Sequence, residues 1–241
     1  MKLIVAGIGY VGSTVADYLE NDGCIIIRID PKYYDTSIYD HLDADGCIIC
    51  VNTPSLPDGG CDDSNVQDVI YQVYKHMPSL VKSSVLPTLV DGYPSSVSMS
   101  PEFLRASNAK EDFQNQSFMI IGDIQDKFRT FWADVFKNFT CHYTNSQVAS
   151  TVKYIHNAWL ATKVVFFNEV YSEVLSDYGE MVTILKLFEN KIGSTHMDVP
   201  GPDGKFGFGG ACFPKDTEAL LTILDSDILA TAVEKNKRMR N

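Results

Sequence analysis

The chain has 241 residues, 45% hydrophobic and 21% charged, an ordinary globular composition with length for one large domain or two modest ones. Twenty lysines and arginines stand against 31 aspartates and glutamates, and the formal net charge of -11 disfavours nucleic acid and anionic membrane surfaces as partners. No apolar run approaches the roughly 20 residues of a membrane span, and the N-terminal residues lack a signal-peptide pattern.

In chain order, short β-branched runs predict strands at residues 2–7, 24–30, 47–52, 80–86, 96–100 and 118–122. Amphipathic stretches predict helices at 11–20, 64–76 and 126–137. Continuous apolar runs of this length suit parallel strands covered on both faces. Their alternation with helices predicts a doubly wound, Rossmann-type α/β domain over 1–145. From 146 to about 178, Val148, Val152, Ile155, Trp159, Val165, Phe166 and Val170 recur at helical spacing with no Gly or Pro between them. This predicts one helix of about 30 residues, a spine for an all-α dimerisation domain over 146–241. A helix is expected at 181–191, an irregular glycine-rich loop at 193–213, and helices at 216–224 and 227–238.

Gly7-Ile8-Gly9-Tyr10-Val11-Gly12 is a G-x-G-x-x-G motif directly after a strand and opening a helix. Gly7 permits a tight turn, Gly9 lets backbone approach a pyrophosphate, and Gly12 permits close helix–strand packing. The helix amides then face the anion. Asp30 closes the second strand, where a carboxylate accepts hydrogen bonds from ribose hydroxyls and repels a 2′-phosphate. The expected cofactor is therefore NAD.

Further along, the glycine-dense segment Gly201-Pro202-Asp203-Gly204-Lys205-Phe206-Gly207-Phe208-Gly209-Gly210 leads into Ala211-Cys212-Phe213-Pro214-Lys215-Asp216. Cys212 sits at a helix start beside Lys215, where an anion is favoured, and Asp216 lies one turn beyond. A nucleophilic cysteine and an incidental one in a flexible loop fit these residues equally. Lys153 and Asn157 share a helix face at i, i+4, a pair that by itself reads better as a solvated lysine beside a polar cap, and Glu102 lies beyond the end of a strand, where a site residue and a helix-start carboxylate fit equally. Asn168-Glu169 reads as helix–helix hydrogen bonding. The five histidines show no metal-ligand spacing, and no metal is expected. Six scattered cysteines indicate reduced thiols in a cytoplasmic protein. The C-x-x-C of Cys47 and Cys50 reads as a buried strand.

Together these segments resemble the nucleotide-sugar dehydrogenases, the family of UDP-glucose 6-dehydrogenase and GDP-mannose 6-dehydrogenase. The matching pieces include Gly7–Gly12, Val51-Asn52-Thr53-Pro54, Lys82-Ser83-Ser84-Val85, Ser100-Pro101-Glu102-Phe103-Leu104-Arg105, Lys153-Tyr154-Ile155-His156-Asn157-Ala158 and the Cys212 segment. The resemblance implies two successive oxidations of a sugar primary alcohol to a carboxylate with two NAD. Cys212 is the implied nucleophile, forming a thiohemiacetal and then a thioester. Lys153 and Asn157 would stabilise oxyanions, Asp216 would position or activate water, and Glu102 would assist acid–base steps. Implied NAD contacts are Gly7, Gly9, Tyr10, Val11, Gly12, Asp30, Lys32, Thr53, Ser84 and Lys215. Implied nucleotide-sugar contacts are Glu102, Phe103, Leu104, Lys153, Asn157, Gly201, Lys205 and Gly209.

The resemblance also implies a homodimer through the long helix and a role in supplying polysaccharide precursors. The chain departs from the family pattern at Ala106, where a second glutamate is usual, and at Ser150. It also ends near where the family's third, nucleotide-binding domain would begin. The leading expectation is an NAD-dependent oxidation of UDP-glucose to UDP-glucuronate. The alternatives are a catalytically weak NAD- or nucleotide-binding dimer that partners or regulates another protein, and a dehydrogenase of the long-helix type related to 6-phosphogluconate dehydrogenase.

Overall fold

The computed structural model describes residues 1–123 and 128–241. Among the described residues the chain divides into two compact units, the first made of residues 1–54 and 61–153 and the second of 55–60 and 154–241.

The first unit is built on β1 (Lys2–Ala6), β2 (Ile25–Ile29), β3 (Gly46–Ile49), β4 (Ser79–Val81), β5 (Val97–Met99), β6 (Phe118–Gly122) and β7 (Thr140–Thr144). The helices between them are α1 (Tyr10–Asn21), α2 (Ser64–Val73), α3 (Pro87–Val90), α4 (Ala109–Asn115) and α5 (Arg129–Val135). The strands form one sheet in the order β2-β1-β3-β4-β5-β6-β7. The side-chain period of two explains its two covered faces. Leu3 and Val5 of β1 pack with Val15, Ala16 and Leu19 of α1, and with Trp132 and Phe136. Their neighbours Ile4 and Ala6 pack on the other face with Val66, Val69, Ile70 and Val73 of α2. Each such fully buried aliphatic side chain contributes about 1.5–3 kcal/mol.

Most pairings are parallel, but β5 and β6 meet antiparallel through the single pair Met99 and Gly122. Continuous apolar runs specify burial on both faces, and burial does not fix strand direction. The expected strand at 80–86 ends early because Lys82 and Ser83 both turn their amides onto the Ile49 carbonyl, at 2.8 and 3.3 Å. The helix expected at 126–137 starts on residues 126 and 127, outside the described residues; α5 carries its central part.

The long helix α6 (Ser146–Val174) has 29 residues and ends four residues before the expected 178. A short 3-10 turn, Leu175–Asp177, separates it from α7 (Tyr178–Lys186), and α8 (Glu189–Ile192) follows. The second unit continues with α9 (Phe213–Leu221) and α10 (Asp227–Arg240). α9 begins three residues earlier than expected because Pro214, whose ring suits the first helical turn, starts it. No helix among the described residues is long and apolar enough to cross a membrane.

Candidate functional site

In the first unit the strand order reverses between β1 and β3, the place where open α/β sheets hold ligands beyond their carboxyl ends. The glycine turn occupies that point. Gly7 adopts φ +87°, and a Cβ there would lie 2.7 Å from the carbonyl carbon and oxygen of Cys50. A Cβ on Gly12 would lie 1.9 Å from the Gly7 carbonyl oxygen, so α1 packs against the turn at a distance only glycine allows. Gly9 differs, with nothing within 4 Å of where its Cβ would stand. Its missing side chain serves open space beyond the protein. Gly9 caps α1 without a side-chain bond, and the first turn carries no acidic residue to compete with an anion. Tyr10 is exposed and Val11 is half-buried against the core.

Asp30 lies beside this turn at the end of β2. Its Oδ2 accepts from the Ile8 amide at 2.8 Å, and its Oδ1 accepts from the Lys32 amide at 2.9 Å. One carboxylate thus fixes both the glycine turn and the chain after β2, while its remaining lone pairs stay available. Thr53 is buried, and its hydroxyl donates to the Ser84 carbonyl at 2.9 Å.

Glu102 is buried, and its Oε2 lies 3.1 Å from Lys82 Nζ, an ion pair whose side chains are 5% and 0% exposed. Oε1 accepts from the Phe103 amide at 3.0 Å. Lys153 is buried with its ammonium 5.6 Å from the centre of the Phe103 ring, a cation–π contact. Leu104 packs into the core with Val5 and Phe113, so its side chain serves the fold. Ser150 is buried and its hydroxyl donates to the Val85 carbonyl. Ala106 is exposed.

The second unit brings three of the sequence-derived residues together. Asn157 Nδ2 lies 2.5 Å from Asp216 Oδ2, and Lys215 Nζ lies 2.7 Å from Asp216 Oδ1. Asp216 is 1% exposed, so both oxygens of a buried carboxylate are engaged. His156 Nδ1 lies 3.0 Å from Asn157 Oδ1 and orients the amide. Cys212 is the half-buried N-cap of α9, and its carbonyl accepts from the Asp216 amide at 2.8 Å, which places the carboxylate one turn along from the thiol.

The glycine loop is held from two helices. Asn168 Oδ1 on α6 accepts from the Gly207 amide at 2.9 Å. Asn236 on α10 grips Phe208 twice, accepting from its amide at 2.7 Å and donating to its carbonyl at 3.0 Å. Arg240 pairs with Asp203 at 2.7 Å, and its guanidinium crowds Gly209 so closely that a Cβ there would lie 2.5 Å from Nη2. The Gly201 amide donates to the Lys205 carbonyl at 2.9 Å, closing a small turn that leaves the Lys205 side chain exposed. Among the described residues no group of three His, Cys, Asp or Glu is arranged to hold a metal.

Residues 147–240 match the model of the UDP-glucose/GDP-mannose dehydrogenase family, central domain. This span contains Lys153, Asn157, the glycine loop, Cys212 and Asp216. Over this span the chain carries the central domain of the UDP-glucose/GDP-mannose dehydrogenase family. The UDP-glucose 6-dehydrogenase of Rickettsia bellii is 32% identical over 213 residues, covering 78% of this chain and 48% of that protein. The GDP-mannose 6-dehydrogenase of Pseudomonas aeruginosa is 27% identical over 198 residues, covering 71% and 44% respectively. Among solved structures, a UDP-glucose dehydrogenase from the archaeon Pyrobaculum islandicum superposes with a TM-score of 0.83 at 25% identity, over 98% of this chain and 68% of that one. The chain spans about half the length of the curated relatives it matches.

Three residues at the site went unassigned in the sequence. Lys82 lies in one of the segments shared with the family, and the sequence gives it no role. A lysine ending the apolar run of a strand needs a buried counter-charge, but its partner Glu102 is 20 positions away. Asn236 and Arg240 sit on a helix with a basic last turn, which disguises them as solvated surface.

Proposed function

We propose that this chain carries the NAD-binding and cysteine-bearing parts of an NAD-dependent nucleotide-sugar 6-dehydrogenase, with UDP-glucose as the substrate oxidised to UDP-glucuronate. The observation that carries this reading is the Cys212, Asp216 and Asn157 arrangement at the start of α9, in a span matching the family's central domain. The glycine turn fits a dinucleotide: Gly9 leaves open space at the head of α1, and Asp30 presents a carboxylate beside it. Gly7, Gly12 and Asp30 would hold NAD there, with Thr53 and Ser84 beyond. When bound, NAD accepts a hydride in each of two oxidations.

The chain's own residues perform the rest. After the alcohol becomes an aldehyde, Cys212 Sγ adds to the carbonyl carbon, giving a thiohemiacetal whose oxygen takes up negative charge. Asn157 has two Nδ2 hydrogens, one committed to Asp216 and one left to donate to that oxygen. Lys153, its ammonium held over the Phe103 ring, is the cation proposed to stabilise oxyanions. Loss of the second hydride converts the adduct to a thioester. Asp216 orients water for attack on the thioester carbon, and C–S cleavage returns the thiol and releases the carboxylate; Glu102 is the proposed acid–base residue of the first unit. Lys205 and the backbone of the 201–210 loop bind the nucleotide sugar.

The proposal includes a homodimer along α6. Val148, Val152, Ile155, Trp159 and Phe166 recur at helical spacing on one stripe of that helix and are 38–61% exposed.

The test is NADH release from NAD and UDP-glucose, GDP-mannose or UDP-N-acetylhexosamines, counted per sugar consumed, in the wild type and in Cys212→Ala. Two NADH per sugar in the wild type, with acid formation lost and NAD binding kept in the variant, support the reading. Acid formation by Cys212→Ala at the wild-type rate overturns it.

A further inference from the structure

We propose that Tyr33 and Tyr34 form a stacking floor for the adenine ring of the dinucleotide, an inference that rests on the NAD reading above. β2 is the edge strand of the sheet, and the chain leaving its carboxyl end makes a tight turn rooted on Asp30. The Tyr33 and Tyr34 amides both donate to the Asp30 carbonyl, at 3.0 and 2.9 Å. The Lys32 amide donates to the Asp30 carboxylate at 2.9 Å, and the other carboxylate oxygen accepts from Ile8 in the glycine turn at 2.8 Å. One residue therefore fixes the backbone that carries the two rings relative to the turn that would hold the pyrophosphate.

The fold does not use these rings. Tyr33 is 58% and Tyr34 40% exposed, and neither belongs to the packed clusters on the two faces of the sheet. The Lys32 ammonium lies 5.0 Å from the centre of the Tyr33 ring and covers one of its faces. Rings this exposed offer a planar partner surface to stack on. A dinucleotide whose ribose hydroxyls reach Asp30 carries its base one bond further out, toward the chain that follows β2. Adenine has an uncharged π-face that stacks on an aromatic ring, and the net negative charge of the chain does not oppose it.

The full chain is titrated by calorimetry with NAD, with ADP-ribose and with nicotinamide mononucleotide, which lacks the adenosine half. The variants are Tyr33→Ala/Tyr34→Ala and Tyr33→Phe/Tyr34→Phe. The alanine pair is expected to weaken NAD and ADP-ribose about tenfold, leave nicotinamide mononucleotide as in the wild type, and unfold at the wild-type temperature. The phenylalanine pair keeps wild-type affinity, because stacking does not need the hydroxyl. Unchanged ADP-ribose affinity in the alanine pair overturns the floor and leaves the NAD reading standing, as does an equal loss for nicotinamide mononucleotide. A wild type that binds neither NAD nor ADP-ribose overturns both.

Discussion

Asn157 Nδ2 and Asp216 Oδ2 lie 2.5 Å apart, an amide on α6 bonded to a carboxylate on α9 that is 1% exposed. With Lys215 on the other oxygen, Asp216 has one neutral and one charged donor, which is what keeps a buried carboxylate tolerable. Removing the amide exposes that cost and also deletes the donor assigned to the oxyanion. Asn157→Ala is expected to lower stability by about 1–3 kcal/mol and kcat by about 10²–10³. Thermal unfolding and steady-state NADH formation read the two effects separately. A variant that is destabilised but turns over like the wild type would leave Asn157 as a holder of Asp216 and nothing more.

The three glycines of the turn make separable demands. Gly7→Ala places a side chain 2.7 Å from the Cys50 backbone at a φ of +87°, and Gly12→Ala places one 1.9 Å from the Gly7 carbonyl. Neither neighbour is a side-chain tip that can swing aside. Both variants are expected to lose about 2–4 kcal/mol, or to fail to fold. Gly9→Ala meets nothing within 4 Å, so its stability cost stays under about 1 kcal/mol while affinity for NAD falls. A folded Gly9→Ala protein that binds NAD as tightly as the wild type would remove the pyrophosphate from that space.

Legibility in the sequence followed how local each signal is. The glycine turn and Asp30 were readable because the motif, the strand and the helix lie within one stretch of chain. The strand β7 was not, since Thr-Cys-His-Tyr-Thr is polar and mostly exposed on the sheet edge, giving no apolar run. Asn168-Glu169 was half legible. Glu169 does pair with Lys235 of α10, helix to helix, whereas Asn168 turns to the Gly207 amide in the loop. Spacing on α6 shows which residues share a face but not what faces them. The same limit hid Lys82 and Glu102, whose ion pair depends on β4 and β5 being neighbours.

Asn236 offers a test of the loop that does not touch the chemistry. It is buried, and both of its side-chain hydrogen bonds go to the backbone of Phe208, between Gly207 and Gly209. Asn236→Ala leaves a buried amide and carbonyl unpaired, at a cost of about 2–4 kcal/mol, and frees the centre of the loop. Asn236→Asp keeps the acceptor for the amide but sets a buried carboxylate oxygen against the Phe208 carbonyl, so a loss at least as large is expected. In both, KM for the nucleotide sugar should rise more than kcat falls. Equal KM in wild type and variants would show that the loop does not bind the sugar nucleotide.

Cys47 and Cys50 report the pH response of the core. Burial pushes the Cys47 thiol far above its ordinary range, with Cys50 nearby adding to it. Burial raises Cys50 to about 12, opposed by the Lys82 charge and reinforced by Glu102. The unfolded chain releases these protons near pH 8.5, before the folded protein does. Their contribution to stability is therefore complete below about pH 8.5 and declines as pH rises from there towards 12. Cys50→Ala should make the fall in unfolding temperature above pH 8.5 shallower than in the wild type. At pH 8, iodoacetamide should label Cys212 in the folded protein while leaving the buried Cys47 intact, and mass spectrometry of the digested chain reads each site. Rapid alkylation of Cys47 without denaturant would contradict a sealed β3, and with it the reading of this segment as core.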